Sequence, residues 1–504
     1  MDALPQRLAQ LSPEKRALLE QLRLQRQAAA AIVPRDPAVV VPLSLAQRRL
    51  WLVEQMRPGQ ATYIMPCVLM IKGLLDRNAL AASLSWLLQR HEVLRTSIQH
   101  GSQGAYQQIH APWQVELGLV EVDQTQLESQ LRQYAQQAFD LKHAPLWRAQ
   151  LWRCAPEQHV LGLMLHHIIA DGWSLGVLMH DLALAYAHFA TGAALNRVPL
   201  PIQYGDYACW QAQQPAMMLP NSRDFWLKLL HDAPTLALPT DYPRPAVQSF
   251  QGAQIAWRLP SELVEQLKQL SQRQSATLFM SLLTAFYWLL HWLSEQTDLV
   301  VGTDVAGRQQ PETHQLIGFF INQLMLRQKV QPYQSFQASL QQTRQLTLAA
   351  FEHQHVPFDQ IVELLNVAHD PSRTPLFQVK FVLQNTPLPT LQLAGVELER
   401  MDLDPHTAKF DLLINLWEEH TGLAGTLDYN TDIFAAQRMQ QLLERYQLLL
   451  KLIVLEPTIT LEAAVERCQS QERELQQQRL EQRKAANRSK LILNRRRSST
   501  EPTQ

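Results

Sequence analysis

Residues 160–174 constrain the fold of this chain more than any other stretch. The apolar run Val160–Leu165 is typical of a buried strand, and apolar residues return at helical spacing over 175–186. Between them lies His-His-Ile-Ile-Ala-Asp-Gly-Trp-Ser, and Ser174 is predicted to be the N-cap of the helix. Two imidazoles, a carboxylate and a glycine therefore occupy a strand-to-helix turn, where side chains commonly face a cleft. The sequence predicts an active site at this turn.

The length and the charge balance exclude several classes of protein. A chain of 504 residues exceeds the usual size of one hydrophobic core, so two lobes are expected. The 45 basic and 46 acidic residues leave a formal net charge of −1, which argues against a nucleic-acid partner. The longest apolar stretch, residues 279–293, is too short to span a membrane and predicts a buried helix.

The cysteines indicate a cellular compartment. They are widely scattered and have no metal-ligand spacing, so we predict neither a disulfide framework nor a zinc site. A reducing, cytoplasmic location fits this usage best. The four residues are Cys67, Cys154, Cys209 and Cys468.

Strand and helix patterns alternate along the chain, which predicts an α/β fold around a mixed sheet. Residues 1–41 are expected to form a helix, over 12–30, and a proline-containing linker. We predict an N-terminal lobe over 42–215 and a C-terminal lobe over 216–466, because the second half repeats the element order of the first. The tail, 467–504, is Gln/Arg-rich and then basic, and is typical either of a docking helix for an acidic partner or of a solvated end.

Seven stretches, in this order, resemble condensation domains of nonribosomal peptide synthetases, which belong to the acyltransferase superfamily of chloramphenicol acetyltransferase. The first is similar to the form found in domains that join an L-configured donor to an L-configured acceptor. The resemblance implies two chloramphenicol-acetyltransferase-like lobes that form a pseudo-dimer with a central cleft or tunnel. The stretches are LSLAQRRLWLVEQ (43–55), RHEVLRTSI (90–98), HHIIADGWS (166–174), YGDYACWQ (204–211), IGFFINQLMLR (317–327), HQHVPFDQIVE (353–363) and PSRTPLFQ (371–378).

The resemblance implies that His167 faces the tunnel, where a neutral imidazole near pH 7 can act as a base or hold an amine. Asp171 and Gly172 complete the catalytic motif. His166 is expected to pack on the other side, because neighbours at a strand end point in opposite directions. No further ligand cluster accompanies the His-His-Asp group, so no metal is predicted.

Asp171 is predicted to bind an arginine and so hold the shape of the turn. The resemblance places that arginine in the RHEVLR stretch, which leaves Arg90 and Arg95 as candidates. We favour Arg95, because LRTSI is expected to enter the core as a strand whereas Arg90 ends a helix. Gly172 is expected to permit either close approach by a ligand or a positive φ.

Three further residues are secondary candidates. Trp173 and Ser174 either line the tunnel or serve packing and helix capping. Asn322 places a side-chain amide in the apolar stretch IGFFINQLML, where burial is expected. A buried amide needs hydrogen-bond partners, so Asn322 either braces the two lobes or faces the tunnel.

The chain has no glycine-rich phosphate loop or nucleotide fingerprint, so ATP or NAD chemistry is not predicted. The resemblance implies amide formation between a donor acyl or peptidyl thioester and an acceptor amine. Upstream and downstream carrier proteins, with adjacent synthetase modules, would present both substrates on phosphopantetheine, and the domain itself would bind no cofactor. Two alternatives are a stand-alone acyltransferase that forms an ester or amide on a small acceptor, and a non-catalytic recruitment domain. The intact His167 and Asp171 argue against recruitment.

Overall fold

A computed structural model describes most of the chain. The predicted helix at 12–30 and the basic end of the tail lie outside the described residues. The described residues are 31–474 apart from 103, 196, 215–219, 369, 385–391 and 420–421, together with residue 477.

The N-terminal half alternates strands and helices, as the sequence predicted. A capping box at Ser44 begins the first long helix, because its hydroxyl accepts from the amide of Gln47. The elements are β1 (Val41–Pro42), α1 (Leu45–Met56), β2 (Ile64–Gly73), α2 (Arg77–Arg90), β3 (Thr96–Gly101), β4 (Gly104–Ile109), β5 (Leu119–Glu121), α3 (Gln124–Ala135), β6 (Trp147–Ala155), β7 (Gln158–His166), α4 (Gly172–Thr191) and α5 (Tyr204–Gln213).

The C-terminal half has the same mixed character, and the α/β prediction is therefore confirmed for the chain. Its elements are α6 (Pro220–Leu230), β8 (Gly252–Pro260), α7 (Ser261–Arg273), α8 (Leu278–Ser294), β9 (Asp298–Val305), β10 (Asn322–Lys329), α9 (Phe336–Glu352), α10 (Phe358–Leu365), β11 (Val379–Gln384), β12 (Gln392–Leu393), β13 (Val396–Met401), β14 (Leu412–Glu419), β15 (Gly422–Asn430) and α11 (Ala436–Leu455).

The first six-stranded sheet has the strand order β12-β13-β2-β7-β6-β5. Its central strand β7 is buried at every residue after Gln158, which explains its continuous apolar run. The N-terminal half also forms a separate three-stranded sheet, with the order β1-β4-β3. The candidate active-site turn therefore leaves the sheet from one of its most buried strands.

The C-terminal half contributes β13 to this first sheet. Val396 pairs with Gly73 and Met401 pairs with Val68, in antiparallel register. By its place in the chain this strand falls within the predicted C-terminal lobe, 216–466, yet it pairs with a strand of the N-terminal half. The added strand covers an edge of β2 that would otherwise be open. The predicted boundaries between lobes stay predictions.

The second six-stranded sheet has the order β10-β9-β11-β14-β15-β8. Its core face packs on α8, which is almost wholly buried, as the apolar stretch 279–293 predicted. Val379 and Phe381 of β11 point into that core, so Lys380 and Gln384 lie on the opposite face. This opposite face is polar.

Within the described part of the chain, no single helix is both long and apolar enough to cross a membrane. Helices α7 and α8 meet that requirement only as a pair, which is bent by 101°.

Candidate active site

The turn between β7 and α4 is held by backbone hydrogen bonds. The amide of His167 donates to the carbonyl of Tyr63 (2.7 Å), which ties the turn to the start of β2. The amide of Ile169 donates back to the carbonyl of His166 (3.0 Å). These bonds fix where the two histidines point, and the two rings go to different surroundings.

His166 lies on the packed side of the turn. Its Nδ1 accepts from the amide of Ile168 (3.1 Å), so the proton of the neutral ring is on Nε2, which faces Glu54 Oε1 at 3.4 Å. The ring contacts Phe139 edge-on. Burial lowers the pKa of His166 although Glu54 opposes the shift. His166 is therefore a neutral packing residue in this structure.

His167 has the opposite tautomer. A carbonyl can only accept, so the 2.9 Å contact between Nδ1 and the carbonyl of Ala170 places the proton on Nδ1. Burial, and next the positive charge of Lys409, hold the pKa of His167 well below its usual range. Its Nε2 therefore carries a lone pair at neutral pH, and no described residue donates a hydrogen bond to it. Such a nitrogen can accept a proton or hold an amine N–H.

Asp171 is completely buried and accepts four hydrogen bonds. The amide and hydroxyl of Ser174 donate to Oδ1 (2.8 and 2.7 Å), Arg308 donates to Oδ1 (3.0 Å), and the amide of Phe320 donates to Oδ2 (3.0 Å). The helix begins at Gly172, so Asp171 is its N-cap. The prediction that Ser174 caps the helix is wrong, because Ser174 is the third helical residue.

Arg308 is the arginine that binds Asp171. Its Nη2 also donates to the hydroxyl of Ser174 (2.9 Å), and its guanidinium lies over the ring of Phe320 at 4.0 Å. The preceding Gly307 has φ +65°, and a Cβ there would meet the carbonyl oxygen of Phe320 at 2.0 Å. Glycine adopts this left-handed conformation without a steric penalty, and the turn at Gly307 places Arg308 beside the carboxylate.

The predicted partners Arg90 and Arg95 do not reach Asp171. Arg90 Nε donates to Asp181 at 3.0 Å. Arg95 ends a short 3-10 turn instead of entering a strand, and its guanidinium donates to the carbonyl of His110. The prediction that Arg90 or Arg95 binds Asp171 is therefore wrong, because each of these arginines binds another group of the N-terminal half.

Gly172 does not have a positive φ, so that part of its expected role is wrong. A Cβ on Gly172 would meet only Gln384 Oε1, at 3.7 Å, which is an ordinary contact. Gln384 lies on β11 of the second sheet, on the same face as Lys380. Gly172 therefore lies beside that sheet, and close approach by a ligand remains the prediction.

Trp173 and Ser174 connect the turn to the loop before β10. The indole of Trp173 donates to the carbonyl of His314 (2.9 Å), and its ring is half-buried. The hydroxyl of Ser174 contacts both the amide (3.0 Å) and the carbonyl (2.8 Å) of Gly318. These contacts indicate that both residues pack against the loop before β10 and hold it in place.

Asn322 braces a loop within the C-terminal half. Its Nδ2 donates to the carbonyls of Gln354 (2.8 Å) and Val356 (2.7 Å), and its Oδ1 accepts from the amides of Gln323 (2.9 Å) and Phe358 (3.1 Å). All partners lie on one side of the cleft. The expectation that Asn322 joins the two lobes is therefore wrong, and its amide is already fully bonded.

Two lysines of the C-terminal half approach the turn, and sequence reasoning missed both. Lys380 is buried in β11 and pairs with Asp304 (2.7 Å). Lys409 Nζ lies 5.0 Å from the centre of the Tyr63 ring. Burial lowers the pKa of Lys409 to about 8. The position of Lys380 within the apolar strand VKFVLQ could have identified it as a site residue. No feature of the sequence near Lys409 identifies that residue.

A cavity of about 80 Å³ lies between the two halves. Arg49 and Trp210 line it from the N-terminal half, and Phe320, Asn322 and Asp359 line it from the C-terminal half. In the described part of the chain no group of three or more His, Cys, Asp or Glu side chains could hold a metal. No residue of the histidine turn lines this cavity. The His167 ring instead contacts Phe319 of the C-terminal half edge-on, with ring centroids 5.0 Å apart.

Sequence comparison identifies the family. The Condensation domain family matches residues 38–475, so this chain belongs to the condensation domains, as the seven stretches predicted. It is 40% identical over 422 residues to malpinin synthetase of Mortierella alpina, which covers 82% of the chain and 5% of that protein. It is 37% identical over 432 residues to tyrocidine synthase 3 of Brevibacillus parabrevis, which covers 85% of the chain and 7% of that protein.

A solved structure agrees with this assignment. The X-domain from teicoplanin biosynthesis superposes with a TM-score of 0.79 at 27% identity, covering 86% of this chain and 99% of that one. The chloramphenicol-acetyltransferase-like fold is therefore confirmed. The chain spans only a small part of the curated synthetases that it matches.

Proposed function

We propose that this chain catalyses amide formation between a carrier-bound donor acyl or peptidyl thioester and the amine of a carrier-bound acceptor. The observation that carries the proposal is the tautomer of His167, whose Nδ1 donates to the carbonyl of Ala170 and leaves Nε2 unprotonated. An unprotonated nitrogen on a ring that contacts Phe319 of the other half can hold an incoming amine. The free cysteines suit a reducing cytoplasm.

In this mechanism the acceptor nitrogen attacks the thioester carbonyl carbon while its N–H is hydrogen-bonded to His167 Nε2. Collapse of the tetrahedral intermediate breaks the carbon–sulfur bond, and the proton lost by nitrogen passes to the departing thiolate. Because both substrates are tethered, a bimolecular reaction becomes effectively unimolecular. The domain supplies orientation, and the phosphopantetheine arms of the partner carrier proteins supply the thioesters.

The neighbouring residues take supporting roles in the proposal. Asp171 and Arg308 hold the turn against the C-terminal half, while His166 packs behind it. Gly172 leaves room for the substrate backbone. Adjacent modules would deliver L-configured donor and acceptor groups, as the LSLAQRRLWLVEQ stretch indicates, and the basic tail would dock a partner protein.

A recruitment role is the second candidate, because a solved complex pairs an X-domain with OxyB in teicoplanin biosynthesis. A recruitment domain has no chemical need for an unprotonated nitrogen in its cleft. The geometry of His167 therefore favours catalysis.

The test uses carrier proteins loaded with a panel of N-acetyl-L-aminoacyl donors and L-aminoacyl or hydroxyacyl acceptors. Amide or ester product is followed by mass spectrometry. We expect amide product with wild type and with the control His180→Ala, which changes an exposed histidine of α4, and none above background with His167→Ala. Equal product from His167→Ala would refute the assignment, ester alone would favour the related acyltransferase, and no product in any pairing would favour recruitment.

A further inference from the structure

We propose that Gln384 and Asn415 bind an amide of the donor chain, so that the domain favours a peptidyl or N-acylaminoacyl donor over a simple acyl donor. The two residues determine specificity and take no part in bond formation. This inference rests on the proposed function, because it takes the donor thioester to lie beside the histidine turn.

The first support is the position of Gln384 beside that turn. Its Oε1 lies 3.7 Å from the place that a Cβ on Gly172 would occupy. Gly172 begins α4 in the N-terminal half, whereas Gln384 ends β11 in the C-terminal half. A donor chain that packs on Gly172, where other residues carry a side chain, therefore lies within reach of the Gln384 amide.

The second support is the change in burial along one face of the second sheet. Lys380 and Val382 of β11 are 6% and 8% exposed. Gln384, next on the same face, is exposed, and Asn415 of the neighbouring strand β14 is half-buried. The face is therefore covered at Lys380 and accessible at Gln384, so a ligand can reach the Gln384–Asn415 pair.

The third support is the hydrogen-bonding capacity that the pair keeps. Gln384 Nε2 donates to Asn415 Oδ1 at 3.2 Å, and no residue that the structure describes bonds to Gln384 Oε1 or Asn415 Nδ2. If both side-chain amides are turned over, Asn415 donates to Gln384 instead, and again one oxygen and one NH₂ group stay free. In either arrangement the pair offers one acceptor and one donor.

This capacity matches an amide of the substrate. An amide presents one N–H and one carbonyl oxygen, whereas an alkyl chain presents neither and leaves both side chains unbonded. Both side chains are neutral, as an amide is. The pair therefore distinguishes donors by whether they carry an amide near the thioester.

The position of the pair favours the donor amide over the amides of the pantetheine arm. In a peptidyl donor the amide nitrogen is joined to the carbon atom next to the thioester carbonyl. The nearest pantetheine amide lies beyond the sulfur and an ethylene group. Because Gln384 lies beside the turn that carries His167, the amide closer to the reacting carbonyl is the better match.

The experiment compares Gln384→Leu and Asn415→Leu with the control Gln108→Leu, which changes an exposed glutamine of β4. One donor carrier bears an N-acetyl-L-aminoacyl group, and in the second donor an alkyl group of the same length replaces the acetamido group. The readout is the single-turnover rate at subsaturating donor, with one L-aminoacyl acceptor carrier. For the acetamido donor we expect Gln384→Leu and Asn415→Leu each to lose about tenfold, the value of one hydrogen bond.

For the alkyl donor the same two variants should match wild type within about twofold, because no hydrogen bond is left to lose. Gln108→Leu should match wild type with both donors. Equal losses with both donors would overturn the inference, since the contact would then lie on the pantetheine arm or within the fold. No loss with either donor would overturn it too. Gln384→Ala replaces Gln384→Leu if that variant does not fold.

If wild type forms no amide with any pairing, the proposed function fails, and a binding measurement decides the inference. Both donors are then attached to the carrier through a stable amide in place of the thioester, and calorimetry gives the Kd. A Kd about tenfold weaker in Gln384→Leu for the acetamido donor alone supports the inference. Equal Kd values, or no binding by wild type, refute it.

Discussion

Asp171 and Asp181 are two buried aspartates at the start and in the middle of helix α4. Both side chains are completely buried, and both bind arginine. They differ in what they join. Asp181 binds residues of the N-terminal half alone, whereas Asp171 binds across the cleft to the C-terminal half.

The Asp181 site holds the N-terminal half together. Arg90 Nε (3.0 Å), Arg197 Nη2 (2.7 Å) and His91 Nε2 (2.9 Å) all contact its carboxylate. Arg90 ends α2, so the site fixes α2 against α4. Its role is stability.

The Asp171 site has fewer cations and more neutral donors. Arg308 supplies the only guanidinium among the described contacts, and Ser174 and Phe320 supply the other hydrogen bonds. The arginine and Phe320 belong to the other half. Asp181 lies in the middle of α4, and its ion pairs stabilise one half of the molecule. Asp171 is the N-cap of the same helix, and its ion pair with Arg308 links the orientation of the histidine turn to the second half.

The largest predicted effect is that of Asp181→Ala. It leaves the buried side chain of Arg90 and the half-buried side chain of Arg197 without a counter-charge, so we expect the free energy of unfolding to fall by about 3–5 kcal/mol. Urea unfolding measures the loss. Asp140→Ala, which removes an exposed pair with His143, should change stability by less than about 0.5 kcal/mol. Folded Asp181→Ala protein should still form amide; loss of product without loss of stability would erase the distinction between the two sites.

The second effect is that of Arg308→Met. Arg308→Met removes the hydrogen bonds to Asp171, to Ser174 and to the carbonyls of Thr313 and Leu316. It leaves the buried carboxylate without a counter-charge, so we expect the free energy of unfolding to fall by about 3 kcal/mol, the lower end for a broken buried ion pair, because Ser174 and Phe320 still donate to Asp171. The turn would lose its link across the cleft, and the single-turnover rate should fall about a hundredfold. Urea unfolding and product analysis measure the two effects. A wild-type rate would show that the link across the cleft does not orient His167.

The third effect is a pH dependence at the Asp181 site. Burial lowers the pKa of His91, although the hydrogen bond that its ring donates to Asp181 opposes the shift. Below about pH 6.5 the unfolded chain therefore binds more protons at His91 than the folded chain does. The contribution of neutral His91 to the free energy of unfolding is fully present above that pH, and it is lost as the pH falls towards the pKa of His91 in the folded protein.

We expect this residue to contribute a slope of at most about 1.4 kcal/mol per pH unit to the free energy of unfolding. Urea unfolding of wild type and His91→Gln at several pH values between about 7.5 and 5 separates that contribution. Parallel curves for the two proteins would contradict it.

The smallest effect on stability is that of Gly172→Ala, at the cleft end of the helix. A Cβ there meets only Gln384 Oε1, at 3.7 Å, so stability should change by less than about 0.5 kcal/mol. The rate of amide formation should nevertheless fall, because the methyl group faces the cleft. Gly176→Ala, one turn further with open space around it, is the matched control. Equal rates for the two variants would remove the proposed role of Gly172.

Sequence reasoning succeeded where the signal is local. The apolar run before His166 predicted β7, the helical spacing after it predicted α4, and the stretch 279–293 predicted α8. These elements are determined by periodicity within a few residues. The seven stretches, in their order along the chain, predicted the family and the fold.

The errors concern partners that lie far apart in the chain. Arg308 is 137 residues from Asp171, and β13 pairs with β2 across the boundary between halves. The resemblance to the family made Arg90 and Arg95 the candidates, but Arg90 is bound by a second buried aspartate, Asp181, that the sequence pattern did not reveal. No sequence feature near Lys409 could have identified it, because the residues around it come from both sheets.

The central claim is that His167 presents an unprotonated Nε2 to the cleft. The most direct measurement is the ¹⁵N NMR spectrum of histidine-labelled wild type at pH 7, with His167→Ala for assignment. The structure predicts a neutral His167 ring with its proton on Nδ1 and a lone pair on Nε2. An imidazolium, or a neutral ring with its proton on Nε2, would contradict the account.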